Sequence, residues 1–200
     1  MRFNPDGNER LIAACGLVLA TLTVVELATL LLGLRSMLQV HVFVGLVLLP
    51  PIALKLGSTG WRFARYYTRN HAYRLKGAPQ IGMRLLAPLL VALTVLLFGS
   101  GVAMGLVHGE ALRVARRIHG PASVLWLIVL GVHVLVYARR TLRAVGHDVQ
   151  PRTRREVAGA RWRGYVVVSA LVCGIAVGLA TLPVQHAWLH LGSHHHHFER

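Results

Sequence analysis

His119 and His133 lie fourteen positions apart in one apolar stretch, and His41 and Lys55 lie fourteen apart in another. An α-helix rises about 1.5 Å per residue, so each pair spans roughly 21 Å along its axis and faces nearly the same side. Imidazole is the usual axial ligand of haem iron. Two helices that each offer two nitrogen donors at this spacing suit two stacked haems inside a bilayer, with one ligand from each helix at each level. Three of the four positions are histidine and the fourth is lysine. No C-x-x-C-H motif occurs, so the haem expected is of the b type rather than thioether-linked.

The elements that must position these residues are membrane spans. The chain of 200 residues is 54% hydrophobic and 14% charged, with a mean hydropathy of +0.54. Five apolar segments, 11–34, 40–56, 83–107, 118–138 and 165–183, are long enough or nearly so to cross about 30 Å of hydrocarbon. The fold class expected is all-α: an integral membrane bundle of five transmembrane helices with a four-helix haem-binding core. Residues 1–185 read as one domain, and 186–200 as a histidine-rich tail. The apolar run after Arg10 continues past Glu26 to Leu34, too long for a signal peptide, and reads as a retained anchor.

A formal charge of +15 raises nucleic acid as a partner, but its distribution argues for lipid. Segment 55–84 carries Lys55, Arg62, Arg65, Arg69, Arg74, Lys76 and Arg84 and no acid. Segment 139–163 carries eight arginines against Asp148 and Glu156. The intervening loops are poorer, which is the positive-inside pattern. It puts the N-terminus inside, the C-terminus outside, and a basic face against anionic headgroups. Spans 40–56 and 118–138 then both run inward. His41 becomes level with His119, and Lys55 with His133.

Other residues bear on the same reading. Gly45, one turn beyond His41, would admit a flat ring. Pro50 and Pro51 interrupt the backbone ladder between His41 and Lys55. Glu26 is an ionisable group within an apolar run and reads as facing a cavity, a polar partner or a proton path. Residues 57–69 read as a cytoplasmic loop with an amphipathic, aromatic-rich surface segment, and His71 as a solvated loop residue. Gly99, Gly101 and Gly105 permit close approach of a helix or a porphyrin. Residues 108–118 read as a short outer segment whose Arg113, Arg116 and Arg117 would pair with haem propionates or lipid headgroups, before a helix that begins at His119. Trp126 reads as a core residue or as a filler between haems, and Cys15 and Cys173 as small core residues. Ala170, Gly174 and Gly178 form a packing stripe, within the bundle or in a homo- or hetero-oligomer. The tail His186–His197 reads as an artificial tag or incidental tail, or as a surface site for a divalent metal.

Lys55 has three readings. As a neutral amine it would ligate iron. As a cation it would hold a propionate or a phospholipid headgroup. It would otherwise snorkel to the surface without a role.

The stretches His41-Val-Phe-Val-Gly-Leu-Val-Leu-Leu-Pro-Pro-Ile-Ala-Leu-Lys55 and His119-Gly-Pro-Ala-Ser-Val-Leu-Trp-Leu-Ile-Val-Leu-Gly-Val-His133 resemble bacterial membrane b-type cytochromes of the four-helix di-haem superfamily. Arg65-Tyr-Tyr67, Tyr73-Arg-Leu-Lys-Gly-Ala-Pro79 and the Leu-Phe-Gly-Ser-Gly-Val-Ala run at 97–103 are similar in style to small actinobacterial cytochrome b-like membrane proteins. The resemblance covers about residues 38–140. It implies a bacterial cytoplasmic membrane, one or two haem b groups, and electron transfer between the quinone pool and a partner oxidoreductase. It also implies that His41, His119 and His133 ligate iron. Lys55 departs from the pattern of a fully bis-histidine protein, which leaves the second haem open. Quinone at one face is a further expectation, with Glu26 as a proton acceptor.

Two rivals stand beside this reading. A haem-free scaffold or assembly subunit accounts for the small-residue helices and basic loops but makes the depth-matched histidines a coincidence. A metal-handling transporter using the histidine tail predicts polar breaks at mid-membrane in paired repeats, and the sequence has none.

Overall fold

The computed structural model of the chain describes residues 5–75, 81–150 and 157–185. Among the described residues the chain forms the helices α1 (Pro5–Leu31), α2 (Leu34–Tyr67), α3 (His71–Leu75), α4 (Ile81–Leu106), α5 (Gly109–Val149) and α6 (Ala160–Ala180). Among the described residues there is no strand, and five helices are long and apolar enough to span a membrane. The protein is thus an all-α, multi-pass membrane helical bundle. Residues 76–79 of the family-like loop, Lys76 among them, lie outside the described residues. So do Glu156 and the histidine-rich tail.

Three boundaries differ from the sequence reading. Residues 57–67 continue α2 instead of forming a loop. Side chains one turn apart support that extension: Arg65 lies over the Trp61 ring at 5.4 Å, and the Phe63 and Tyr67 rings are 4.4 Å apart. The short segment before His119 is the start of α5, where good helix formers and a Glu110–Arg113 ion pair sustain the first turns. His119 therefore lies inside a helix rather than at its start. At the other end α5 runs on through the basic stretch to Val149. Pro50 and Pro51 leave α2 helical while removing two of its amide donors.

The helices fall into two compact units, one of Met1–Ala13 and Leu56–Ala160, the other of Ala14–Lys55 and Arg161–Arg200. In the first, α4 and α5 pack along each other around Leu93, Leu97, Trp126 and Val129. The Trp126 indole N–H donates to Thr94 Oγ1 at 2.9 Å, and the Thr94 hydroxyl donates to the Leu90 carbonyl at 2.7 Å. Phe98 meets the indole edge-on at 6.2 Å. Trp126 is thus a core residue with its polar atom satisfied. The first turns of α1 tie down this unit. Asn8 donates to the Ser58 carbonyl at 3.1 Å, Arg10 pairs with Asp148 at 2.8 Å, and Arg140 with Glu9 at 2.8 Å. The C-terminal parts of α2 and α5 thus both meet the first turns of α1.

In the second unit α1 turns into α2 through Gly33, whose φ of 106° is open to glycine and strained for other residues. The Ser36 hydroxyl closes the turn on the Gly33 carbonyl at 2.9 Å. Two members of the small-residue stripe pack against α2. A Cβ on Gly174 would meet the Val47 carbonyl oxygen and lie 3.1 Å from Val47 Cα, and one on Gly178 would lie 2.7 Å from the Phe43 ring. Pro51 deprives the Val47 carbonyl of its helical donor, and the Gly174 hydrogen that replaces a Cβ points at it, a weak C–H···O contact. Cys15 is fully buried, as expected, whereas Cys173 is exposed on α6.

Gly174→Ala should destabilise the detergent-solubilised protein by about 1–3 kcal/mol, because backbone rather than a movable side chain blocks the new methyl group. Gly131, where a Cβ meets nothing within 4 Å, is the reference. Thermal unfolding of Gly131→Ala should match or exceed wild type, and equal behaviour of the two variants would remove this account of the α2–α6 contact.

Candidate functional site

His119 projects from α5 onto α4. Its Nδ1 lies 3.1 Å from the Leu97 carbonyl oxygen and 3.2 Å from Ser100 Oγ. A carbonyl only accepts, so Nδ1 carries the hydrogen. Ser100 agrees with this assignment: its hydroxyl donates to the same Leu97 carbonyl at 2.9 Å, which leaves its oxygen to accept from the ring. In a neutral ring held this way the lone pair is on Nε2. Gly101 makes room for the ring, since a Cβ there would lie 3.1 Å from His119 Cε1. Among the small residues of α4, Gly101 accommodates an imidazole.

His41 repeats the arrangement with different partners in the other unit. Its Nδ1 lies 2.9 Å from Glu26 Oε1 and 3.3 Å from Thr29 Oγ1. The Thr29 hydroxyl donates to the Glu26 backbone carbonyl at 2.6 Å, so towards His41 its oxygen accepts. Nδ1 again carries a hydrogen, and in a neutral ring the lone pair is then on Nε2. Glu26, expected to have a polar partner or a cavity, has the histidine one helix away. Its side chain is 18% exposed, and Oε2 is buried with no hydrogen-bond partner among the described residues. Gly45 borders the carboxylate: a Cβ there would lie 3.6 Å from Glu26 Oε1.

The remaining candidates lie elsewhere on α2, α3 and α5. His133 is partly buried, with its ring 4.9 Å from that of Tyr137 at a 44° tilt. Lys55 is partly buried on α2. Arg116 and Arg117 are exposed on α5 and have no acidic partner among the described residues, whereas Arg113 is paired with Glu110. His71 is exposed at the start of α3. No group of three or more His, Cys, Asp or Glu side chains that would hold a metal ion occurs among the described residues. An axial haem site makes a different demand, since the porphyrin fills four positions and the protein supplies one or two donors.

Thr29, Ser100 and the Leu97 carbonyl were not singled out from the sequence. The available signal was a small hydroxyl residue in an apolar span: Thr29 stands three positions after Glu26, and Ser100 stands between two glycines.

Fold and site together define a class, a multi-pass helical membrane protein with two intramembrane imidazoles anchored through Nδ1. Compared with protein-family models, curated proteins and solved structures, the chain finds no match.

Nitrogen-15 NMR of histidine-labelled protein, prepared without added cofactor, checks the geometry directly. His41 and His119 should both report hydrogen on Nδ1. Ser100→Ala should leave His119 in that state, because the Leu97 carbonyl remains. Hydrogen on Nε2 alone at either residue would contradict the arrangement.

Proposed function

We propose that this protein is a bacterial cytoplasmic-membrane b-type cytochrome, holding one or two haem b groups and passing electrons between the quinone pool and a partner oxidoreductase. The observation that carries the reading is the shared anchoring of His41 and His119. Histidines that ligate metal almost always donate their other ring N–H to a carboxylate, a carbonyl or water, which fixes the tautomer and aims the remaining nitrogen. Both residues have this arrangement in apolar spans, and the fourteen-residue register of the sequence supports the same assignment.

His41 and His119 are the proposed axial ligands at the outer level, and His133 the ligand at the inner level. Lys55 is the candidate partner of His133, either through its amine or through charge on a propionate. Arg116 shares a helix face with His119, three positions away, and with Arg117 supplies guanidinium donors for propionates. Haem b, where bound, supplies a one-electron couple whose potential the protein tunes through ligands, hydrogen bonds and burial. The Glu26 carboxylate accepts the Nδ1 hydrogen of His41 and makes its Nε2 a stronger donor. The Leu97 carbonyl, which is neutral, does the same for His119 more weakly. The two ligands are therefore unequal by construction.

The test is a reduced-minus-oxidised visible spectrum of protein purified from its own membranes, with haem counted per chain. One or two haems are expected. His41→Ala and His119→Ala should each abolish the outer low-spin haem while circular dichroism stays helical. Lys55→Ala should affect an inner haem only. A haem-free wild-type protein would sink the reading and favour a scaffold.

A further inference from the structure

The first unit carries an open cleft of about 670 Å³ where α1 begins and α5 ends. Asp6, Glu9, Arg10, Arg139, Arg140 and Arg143 supply its charged lining. Two of these arginines are matched by acids: Arg140 Nε pairs with Glu9 at 2.8 Å, and Arg10 pairs with Asp148 at 2.8 Å. Arg10 is almost fully buried, at 7% exposed, so the cleft has a fixed wall rather than a fringe of mobile side chains. Arg139 and Arg143 are exposed and have no acidic partner among the described residues. Four positions apart, they lie one turn above the other on one face of α5. Val136 and Ala144 line the same cleft, and Val136 stands on the side of the apolar span.

Two guanidiniums on one helix face present planar forks that match phosphate oxygens, while an apolar residue beside them suits a ligand with a hydrocarbon portion. We propose that this cleft is a binding site for a phosphate group, that of an anionic phospholipid headgroup, gripped by Arg139 and Arg143 with the acyl chains following α5 past Val136. The matched pairs Arg10–Asp148 and Arg140–Glu9 hold the walls and leave the other two arginines for the ligand. This assignment does not depend on haem.

Native mass spectrometry of the full chain in neutral detergent tests it, with phosphatidylglycerol and phosphatidylcholine titrated separately. Phosphatidylglycerol should be retained in preference to phosphatidylcholine, whose choline cation repels the arginines. The R139Q/R143Q variant should weaken its retention about thirtyfold, the effect of two arginine contacts with an anionic headgroup. R69Q/R74Q, which removes the same charge from exposed positions away from the cleft, should leave retention unchanged. Inorganic phosphate distinguishes the source. Displacement of the lipid by phosphate means that the phosphate group alone is gripped, and no displacement means that the whole headgroup and chains are required; both support the site. Equal retention by R139Q/R143Q and R69Q/R74Q, or equal retention of the two lipids, overturns it. Should R139Q/R143Q not fold, R139K/R143K replaces it: weaker retention supports the forked grip, and wild-type retention overturns it.

Discussion

A polar ring inside an apolar bundle must satisfy its nitrogens within the protein, because hydrocarbon offers no hydrogen bonds. That constraint organises both candidate ligands. At His119 it is met by the Leu97 carbonyl and Ser100, with Gly101 giving the ring its place. At His41 it is met by Glu26 and Thr29. In each case the helix that satisfies Nδ1 is the neighbour across a short connection, α4 for α5 and α1 for α2. The connection therefore sets the chemistry as well as the topology: it decides which nitrogen keeps its lone pair.

The two anchors differ in charge, and the difference has consequences for the bundle. A carboxylate within a span is costly unless it is paired or hydrogen-bonded. Glu26 has one oxygen on His41 and the other buried without a partner among the described residues. Removing His41 alone would leave that carboxylate without its counterpart, whereas removing His119 leaves a carbonyl that still accepts from Ser100 and its own helix. The second unit is thus the more sensitive of the two to loss of its histidine. Packing there is also tight, with Gly174 and Gly178 bringing α6 onto the α2 backbone and Phe43.

Much of this was legible in the sequence. Apolar length and sparse charge specified five spans, because hydrocarbon thickness leaves few alternatives. The small-residue stripe at Gly174 and Gly178 announced a close helix contact. Helix ends were less legible. Residues 57–67 mix glycine, arginine and aromatics, and residues 109–118 open on glycine and carry three arginines, so both read as loop, yet Trp61–Arg65, Phe63–Tyr67 and Glu110–Arg113 pairs carry the helices onward. The histidines stood out by type and spacing, but their anchors did not. Thr29 and Ser100 are common residues, and the Leu97 carbonyl has no sequence signature; only three-dimensional neighbours reveal them. Gly45 was legible as a small residue near His41, whereas its contact with the Glu26 carboxylate had no sequence signature.

The central proposal is that His41 and His119 would each offer Nε2 to haem iron. Near-infrared magnetic circular dichroism of the oxidised protein reads axial ligands directly, because the charge-transfer energy of low-spin ferric haem depends on the ligand pair. The account predicts a bis-imidazole signal in the wild type that disappears in His119→Ala. A wild-type spectrum without low-spin haem, or a bis-imidazole signal that survives in His119→Ala at full intensity, would contradict it.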